Sequence, residues 1–194
     1  QAFAREQTSE NAVRVFAGLV RMGSPQQAVA FLEPWANRHP NDLGAARALA
    51  EGHLKARNYP AARARREALL RLRPDDPVVL NNLANVAALQ GDRAKAVGFA
   101  ERAVKVAPED AGARDTLGWL LVQTGARDTG LRHLREARLR DLRNAETRYH
   151  LAAALAQIGQ NKEAAEELKG VFAAPLDFPE AADAEALGRR LGVR

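Results

Sequence analysis

Three prolines, Pro40, Pro74 and Pro108, stand 34 residues apart, and that interval organises the whole chain. Asp42, Asp76 and Asp110 recur at the same spacing, with Thr8 before them and Asn144 after. All five residue types can cap a helix by accepting from the unpaired N–H groups of its first turn. Pro77 follows Asp76 directly, at a first helical position where its missing N–H costs nothing. The apolar pattern keeps this register. Val15, Leu49, Leu83, Leu117 and Leu151 share one slot, and Phe16, Ala50, Ala84, Gly118 and Ala152 the next. Ala28, Ala62, Ala96, Gly130 and Ala164 form a column of small residues, and Trp35, Leu69, Ala103, Ala137 and Val171 another apolar one. Turn glycines fall at Gly23, Gly91, Gly125 and Gly159, with Arg57-Asn58 in their place in the second unit. A chain with such a period buries its apolar surface between stacked neighbours, because one short unit cannot bury it alone.

Composition agrees. Of the 194 residues 46% are apolar but only 5% aromatic, and the apolar share leans on alanine, which buries little area per residue. Each unit reads as two helices joined by a short turn, in the first unit Ser9 to Met22 and Pro25 to Arg38. Ser24-Pro25-Gln26-Gln27 reads as a capping box with proline in the first turn. The small columns let the two helix backbones approach closely while neighbouring leucines fill the gaps.

In these columns the chain resembles the tetratricopeptide repeat family, whose unit is a 34-residue helix-turn-helix. The resemblance implies an all-α, right-handed solenoid of five repeats, 9–42, 43–76, 77–110, 111–144 and 145–178. A lead-in over 1–8 and a capping helix over 179–194 flank them, the latter with Ala182, Leu187 and Leu191 at helical spacing. Departures are local: Leu142 and Leu176 replace the proline, and Arg66 sits in a slot otherwise apolar. The string from Phe178 through Leu187 also resembles the C-terminal part of the repeat lipoproteins associated with PEP-CTERM sorting and exopolysaccharide systems of Gram-negative bacteria. That second resemblance implies a periplasmic or outer-membrane-associated protein assembling an envelope secretion complex; the alternative compartment is the cytoplasm. The chain starts at Gln1 and is read as a fragment or processed form, with any targeting segment expected upstream.

Chemistry is sparse. Zero cysteines exclude a disulfide framework, a thiolate zinc site and a cysteine nucleophile. His39, His53, His133 and His150 are scattered and are read as lacking a metal-ligand motif, and no glycine-rich phosphate loop is present. No enzyme activity, cofactor or metal is therefore expected. No apolar run approaches the ~18 residues that cross a bilayer.

What remains is a surface. In the family, outward slots of each first helix line a concave groove that binds a peptide. The resemblance places Arg47, Glu51 and Lys55 there from the second unit and Asn81, Asn82 and Asn85 from the third. The fourth contributes Asp115, Trp119 and Gln123, the fifth Tyr149, His150 and Gln157. Asn81 and Asn85 share a helix face, and their amides can pair with a peptide N–H and C=O together. The same asparagines can equally be solvated. Trp119 and Tyr149 have two readings, groove anchors or packing between helices, and His150 reads as a packing residue. One branch of the family clamps carboxylates at a partner's C-terminus. Arg47 and Asn82 fit two of its positions, but Glu51, Gly112 and Thr116 occupy others, and Glu51 would repel such a partner.

Net charge is +5, with two arginine-rich stretches on second helices. These are Arg63, Arg65, Arg66, Arg71 and Arg73, then Arg132, Arg135, Arg138, Arg140 and Arg143. On the convex face they could serve a polyanion: nucleic acid, an acidic polysaccharide or an anionic membrane. Interspersed Glu67, Asp75, Asp76, Glu136 and Asp141, and the lack of aromatic interleaving, argue against nucleic acid. A solvated face carrying i,i+4 ion pairs is the simpler account. The leading expectation is thus a non-catalytic scaffold that docks an extended peptide or a partner helix.

Overall fold

A computed structural model describes residues 8–193. Among them are eleven α-helices and no strand. The first five are α1 (Ser9–Arg21), α2 (Pro25–Arg38), α3 (Leu43–Lys55), α4 (Tyr59–Leu72) and α5 (Pro77–Leu89). The rest are α6 (Arg93–Val106), α7 (Ala111–Gln123), α8 (Arg127–Arg140), α9 (Ala145–Gln157), α10 (Asn161–Phe172) and α11 (Ala181–Arg190). The lead-in expected over 1–8 lies outside the described residues apart from Thr8. No described helix is long and apolar enough to cross a membrane.

The five capping residues all act as such. Thr8, Asp42, Asp76, Asp110 and Asn144 each accept from a backbone N–H in the first turn of α1, α3, α5, α7 and α9. The second helices start differently. Asn58 caps α4 through Ala61 N, but Ser24 makes no side-chain cap on α2, so the expected capping box is absent and Pro25 alone marks that start. The turn between paired helices needs a left-handed residue. Gly23, Gly91, Gly125 and Gly159 supply it at φ between 76° and 98°, and Arg57 takes the same conformation at φ 57°.

The chain forms two compact units, residues 1–92 and 93–194, with the boundary inside the third repeat between α5 and α6. In the first unit each helix from α1 to α4 packs on its successor, and α1 also reaches α3. Its core includes Phe16, Ala28, Leu32, Ala45 and Leu49, with Trp35 half-buried against them. In the second unit α6 to α10 stack in the same manner, and α11 lies on α9 and α10. Its core joins Leu134, Leu151, Leu155 and Leu168 to Ala184 and Leu187 of α11. Of the residues expected on the buried side of α11, Leu187 is buried and Leu191 half-buried, but Ala182 is exposed. Ala184, two positions on, is the alanine that packs.

The small columns set the helix-helix distance. Ala62, Ala96 and Ala164 are fully buried. The fourth repeat is tighter still, since a Cβ on Gly130 would stand 2.6 Å from the Gly118 carbonyl oxygen. Arg66 keeps a place in its apolar slot by reaching Glu51 at 3.7 Å, with its side chain 6% exposed. Burial lowers its pKa, and the Glu51 charge opposes that.

Candidate functional site

Two groups of polar residues stand out, one in each unit. In the first unit α5 carries the asparagines. Pro77 and the Asp76 cap start the helix, and Val79, Leu80, Leu83 and Ala84 bury one side of it. Asn81 and Asn82 are left half-buried and Asn85 exposed. The Asn81 Oδ1 atom is buried and has no hydrogen-bond partner among the described residues. An unpaired buried carbonyl costs about 1–3 kcal/mol until a donor reaches it. Arg47 on α3 donates to the Asp76 carboxylate at 3.1 Å, and Lys55 pairs with Glu51 at 3.5 Å. Both cations stay exposed, so their pairs are weak and exchangeable.

In the second unit the expected groove residues gather differently. Asp115 on α7 is 7% exposed, and its carboxylate binds His150 Nδ1 on α9, with Oδ2 at 2.9 Å. Trp119, one turn on from Asp115, stacks on the His150 ring with centroids 4.7 Å apart. Tyr149 is 6% exposed and meets Trp119 edge-on and Phe178 at 5.8 Å. Asp115 and Tyr149 are therefore interior residues, not free groove contacts, because α9 is covered by the segment leading into α11. Trp119 is half-buried in the same cluster; Gln123, by contrast, is exposed.

His150 is 4% exposed, and its second nitrogen, Nε2, points towards Glu180 at 3.9 Å without a hydrogen-bond partner. Burial alone would lower the imidazole pKa, but the Asp115 charge and hydrogen bond, with help from Glu180, raise it to about 9. Glu146 is raised by burial, and Glu180 is lowered by the imidazole it faces. Burial pushes the Tyr149 hydroxyl up to about 12. Ligand atoms of Glu146, His150 and Glu180 lie within 4.8 Å of one another. Among the four histidines read as lacking a metal-ligand motif, His150 does have a carboxylate four residues away: Glu146 precedes it by one helical turn. That spacing is a usable signal. Glu180 gives none, since only the docking of α11 brings it near.

The arginines of α4 and α8 are mostly engaged. Arg65 pairs with Glu33 on α2 at 3.0 Å, and Arg63 pairs with Glu67 at 2.8 Å. Arg135 and Arg138 reach Glu163 and Glu167 on α10, at 3.2 and 2.9 Å, and Arg140 binds Glu109. Most of these pairs join one repeat to the next rather than running i,i+4 along one helix. A pocket of about 270 Å³ beside Arg135 and Arg138 is lined by Glu163 and Glu167 as well, so it offers no net positive field.

Comparison with known proteins places this architecture. The family model for the tetratricopeptide repeat matches residues 54–170, more than half of the chain. A comparison with curated protein sequences gave no match. Among solved structures, the chain is similar to PilW, a widely conserved type IV pilus biogenesis factor. The TM-score is 0.80 at 18% identity, over 96% of this chain and 86% of that one. It is also similar to TTC0263, a thermophilic repeat protein of Thermus thermophilus, at TM-score 0.76 and 21% identity, covering 96% and 100%. A third is YrrB, a repeat protein with an unusual peptide-binding site, at TM-score 0.64 and 19% identity, covering 94% of each. The 34-residue register, the helix pairs and these matches agree: the chain belongs to the tetratricopeptide repeat family.

Proposed function

We propose that this protein is a non-catalytic scaffold that docks an extended peptide or a partner helix on the first-helix surface carried by α3 and α5. The observation that carries this reading is the buried, unpartnered Oδ1 of Asn81, one turn from the exposed amide of Asn85. A peptide N–H would satisfy the first once the Asn81 amide turns outward, and a peptide C=O the second, which recognises backbone without demanding a sequence. Arg47 and Lys55 would select acidic partners by exchanging Asp76 and Glu51 for the ligand's carboxylates. That the similar protein YrrB has a peptide-binding site, an unusual one, supports a peptide as the ligand. A setting in the periplasm or at the outer membrane, within an exopolysaccharide secretion complex, is supported by the 178–187 string alone.

The test is capture of partner from extracts of the source cells by the full chain and by an Asn81→Ala/Asn85→Ala variant. Loss of two amide contacts should weaken capture at least about tenfold with helix content unchanged. Equal capture removes the proposal. Polyanion binding by Arg135 and Arg138 is the weaker reading because both guanidinium groups already hold glutamates. Heparin retention that drops on Arg135→Gln would favour it instead.

A further inference from the structure

We propose that His150 Nε2 and the carboxylates of Glu146 and Glu180 bind one divalent transition-metal ion of the Zn²⁺ type, which clips α11 onto α9. The three side chains come from separate points of the second unit. Glu146 and His150 lie one turn apart on α9, and Glu180 stands at the start of α11. Their donor atoms converge within 4.8 Å.

Two of these side chains carry a buried, unsatisfied atom. His150 Nε2 and Glu180 Oε2 are both buried, and neither has a hydrogen-bond partner among the described residues. The imidazole is already oriented as a metal ligand, because Asp115 holds Nδ1 and leaves Nε2 facing the glutamates. A carboxylate on the far nitrogen fixes the tautomer and strengthens the ligand nitrogen. Trp119 stacked on the ring prevents it from turning away.

Charge points the same way. Asp115, Glu146 and Glu180 place three carboxylates around one imidazole, and no arginine or lysine pairs with any of them among the described residues. A dication that displaces the Nε2 proton would offset the two glutamates directly. One nitrogen and two carboxylate oxygens suit Zn²⁺ and its neighbours, whereas Ca²⁺ and Mg²⁺ prefer all-oxygen shells. Donors at about 2.0–2.2 Å from Zn²⁺ stand roughly 3.3 Å apart at tetrahedral angles, leaving a fourth position for water. Nε2 and Glu180 Oε1 stand 3.9 Å apart and the whole set lies within 4.8 Å, so the glutamate side chains must draw inward to close around an ion. The Glu180 side chain is 31% exposed, which gives the ion a path in from solvent.

The experiment uses the full chain stripped with a chelator and titrated with ZnCl₂ in a calorimeter. One ion per chain is expected, with affinity falling at least tenfold in Glu146→Gln and in Glu180→Gln and unchanged in His39→Gln. Two readouts on the unsubstituted chain decide the matter if a variant loses helicity. Long-range ¹H–¹⁵N spectra should show Zn²⁺ moving the His150 resonances and sparing the other three histidines, and amide exchange in α11 should slow on Zn²⁺ addition. Absence of saturable binding overturns the proposal. So does binding that both glutamine variants retain, or binding that perturbs a histidine other than His150.

Discussion

Trp35 Nε1 donates to Asp42 Oδ2 at 2.8 Å while the other oxygen of the same carboxylate accepts from Ala45 N at 3.0 Å. One side chain thus caps α3 and ties it to α2, the last helix of the preceding repeat. The link depends on an indole in a column where the other repeats place Leu69, Ala103, Ala137 and Val171, none of which can donate. It shows how a first helix can be fixed to its predecessor by a polar contact as well as by apolar packing.

This contact has a pH signature. Burial would raise the Asp42 pKa, but hydrogen bonds from the Ala45 N–H, Ser9, Trp35 and the Gly44 N–H outweigh it and bring it below 3.8. A depressed carboxylate contributes stability above its unfolded pKa and loses it as pH falls through the folded one. Urea midpoints should therefore drop as pH falls below the ordinary carboxylate range. Asp42→Asn keeps a capping side chain and should flatten that drop, and Trp35→Phe should cost about 1 kcal/mol at neutral pH.

Arg57 occupies the left-handed turn that glycine fills elsewhere. A side chain there costs about 1–2 kcal/mol, partly offset because glycine loses more freedom on folding. Arg57→Gly should accordingly raise stability by about 0.5–1 kcal/mol in urea unfolding. A lower midpoint would mean that the turn is not strained.

α7 and α8 approach closely at Gly130. A Cβ on Gly130 would meet the Gly118 oxygen at 2.6 Å and the Val122 backbone nitrogen at 2.9 Å, and backbone cannot rotate aside. Gly130→Ala should cost about 1–3 kcal/mol, although it restores the residue type that four other repeats use in that slot. Thermal melting monitored by circular dichroism gives the answer.

Asn85 and Trp119 should separate binding from stability. Exposed Asn85→Ala should leave the unfolding free energy within about 0.5 kcal/mol of the parent. Trp119→Ala removes the ring stacked on His150 and should cost about 2–3 kcal/mol, so any binding defect it shows is structural in part.

How far the sequence could be read follows from how local each feature is. The caps at Asp42, Asp76 and Asp110, the turn glycines and the alanine columns are settled within a few residues or one helix pair, and periodicity exposes them. The second-unit site is different. Asp115 meets His150 across 35 residues, and Glu180 arrives only because α11 folds back over α9. Asp115 and Tyr149 share one slot 34 residues apart, and neither is offered to a ligand, because His150 of α9 meets the first and Phe178 lies against the second. The arginines illustrate the same limit. Their partners Glu33, Glu163 and Glu167 sit one repeat away, beyond the reach of i,i+4 reasoning. Glu146 is within that reach, at four residues from His150, but one carboxylate is hard to single out among many on helical surfaces.

The scaffold reading is tested most directly by nuclear magnetic resonance of side-chain N–H groups during titration with a captured partner. The Asn81, Asn82 and Asn85 amides should shift together while the Nε–H signals of Arg135 and Arg138 stay in place. Still asparagines beside moving arginines would contradict the account and hand the binding surface to the second helices.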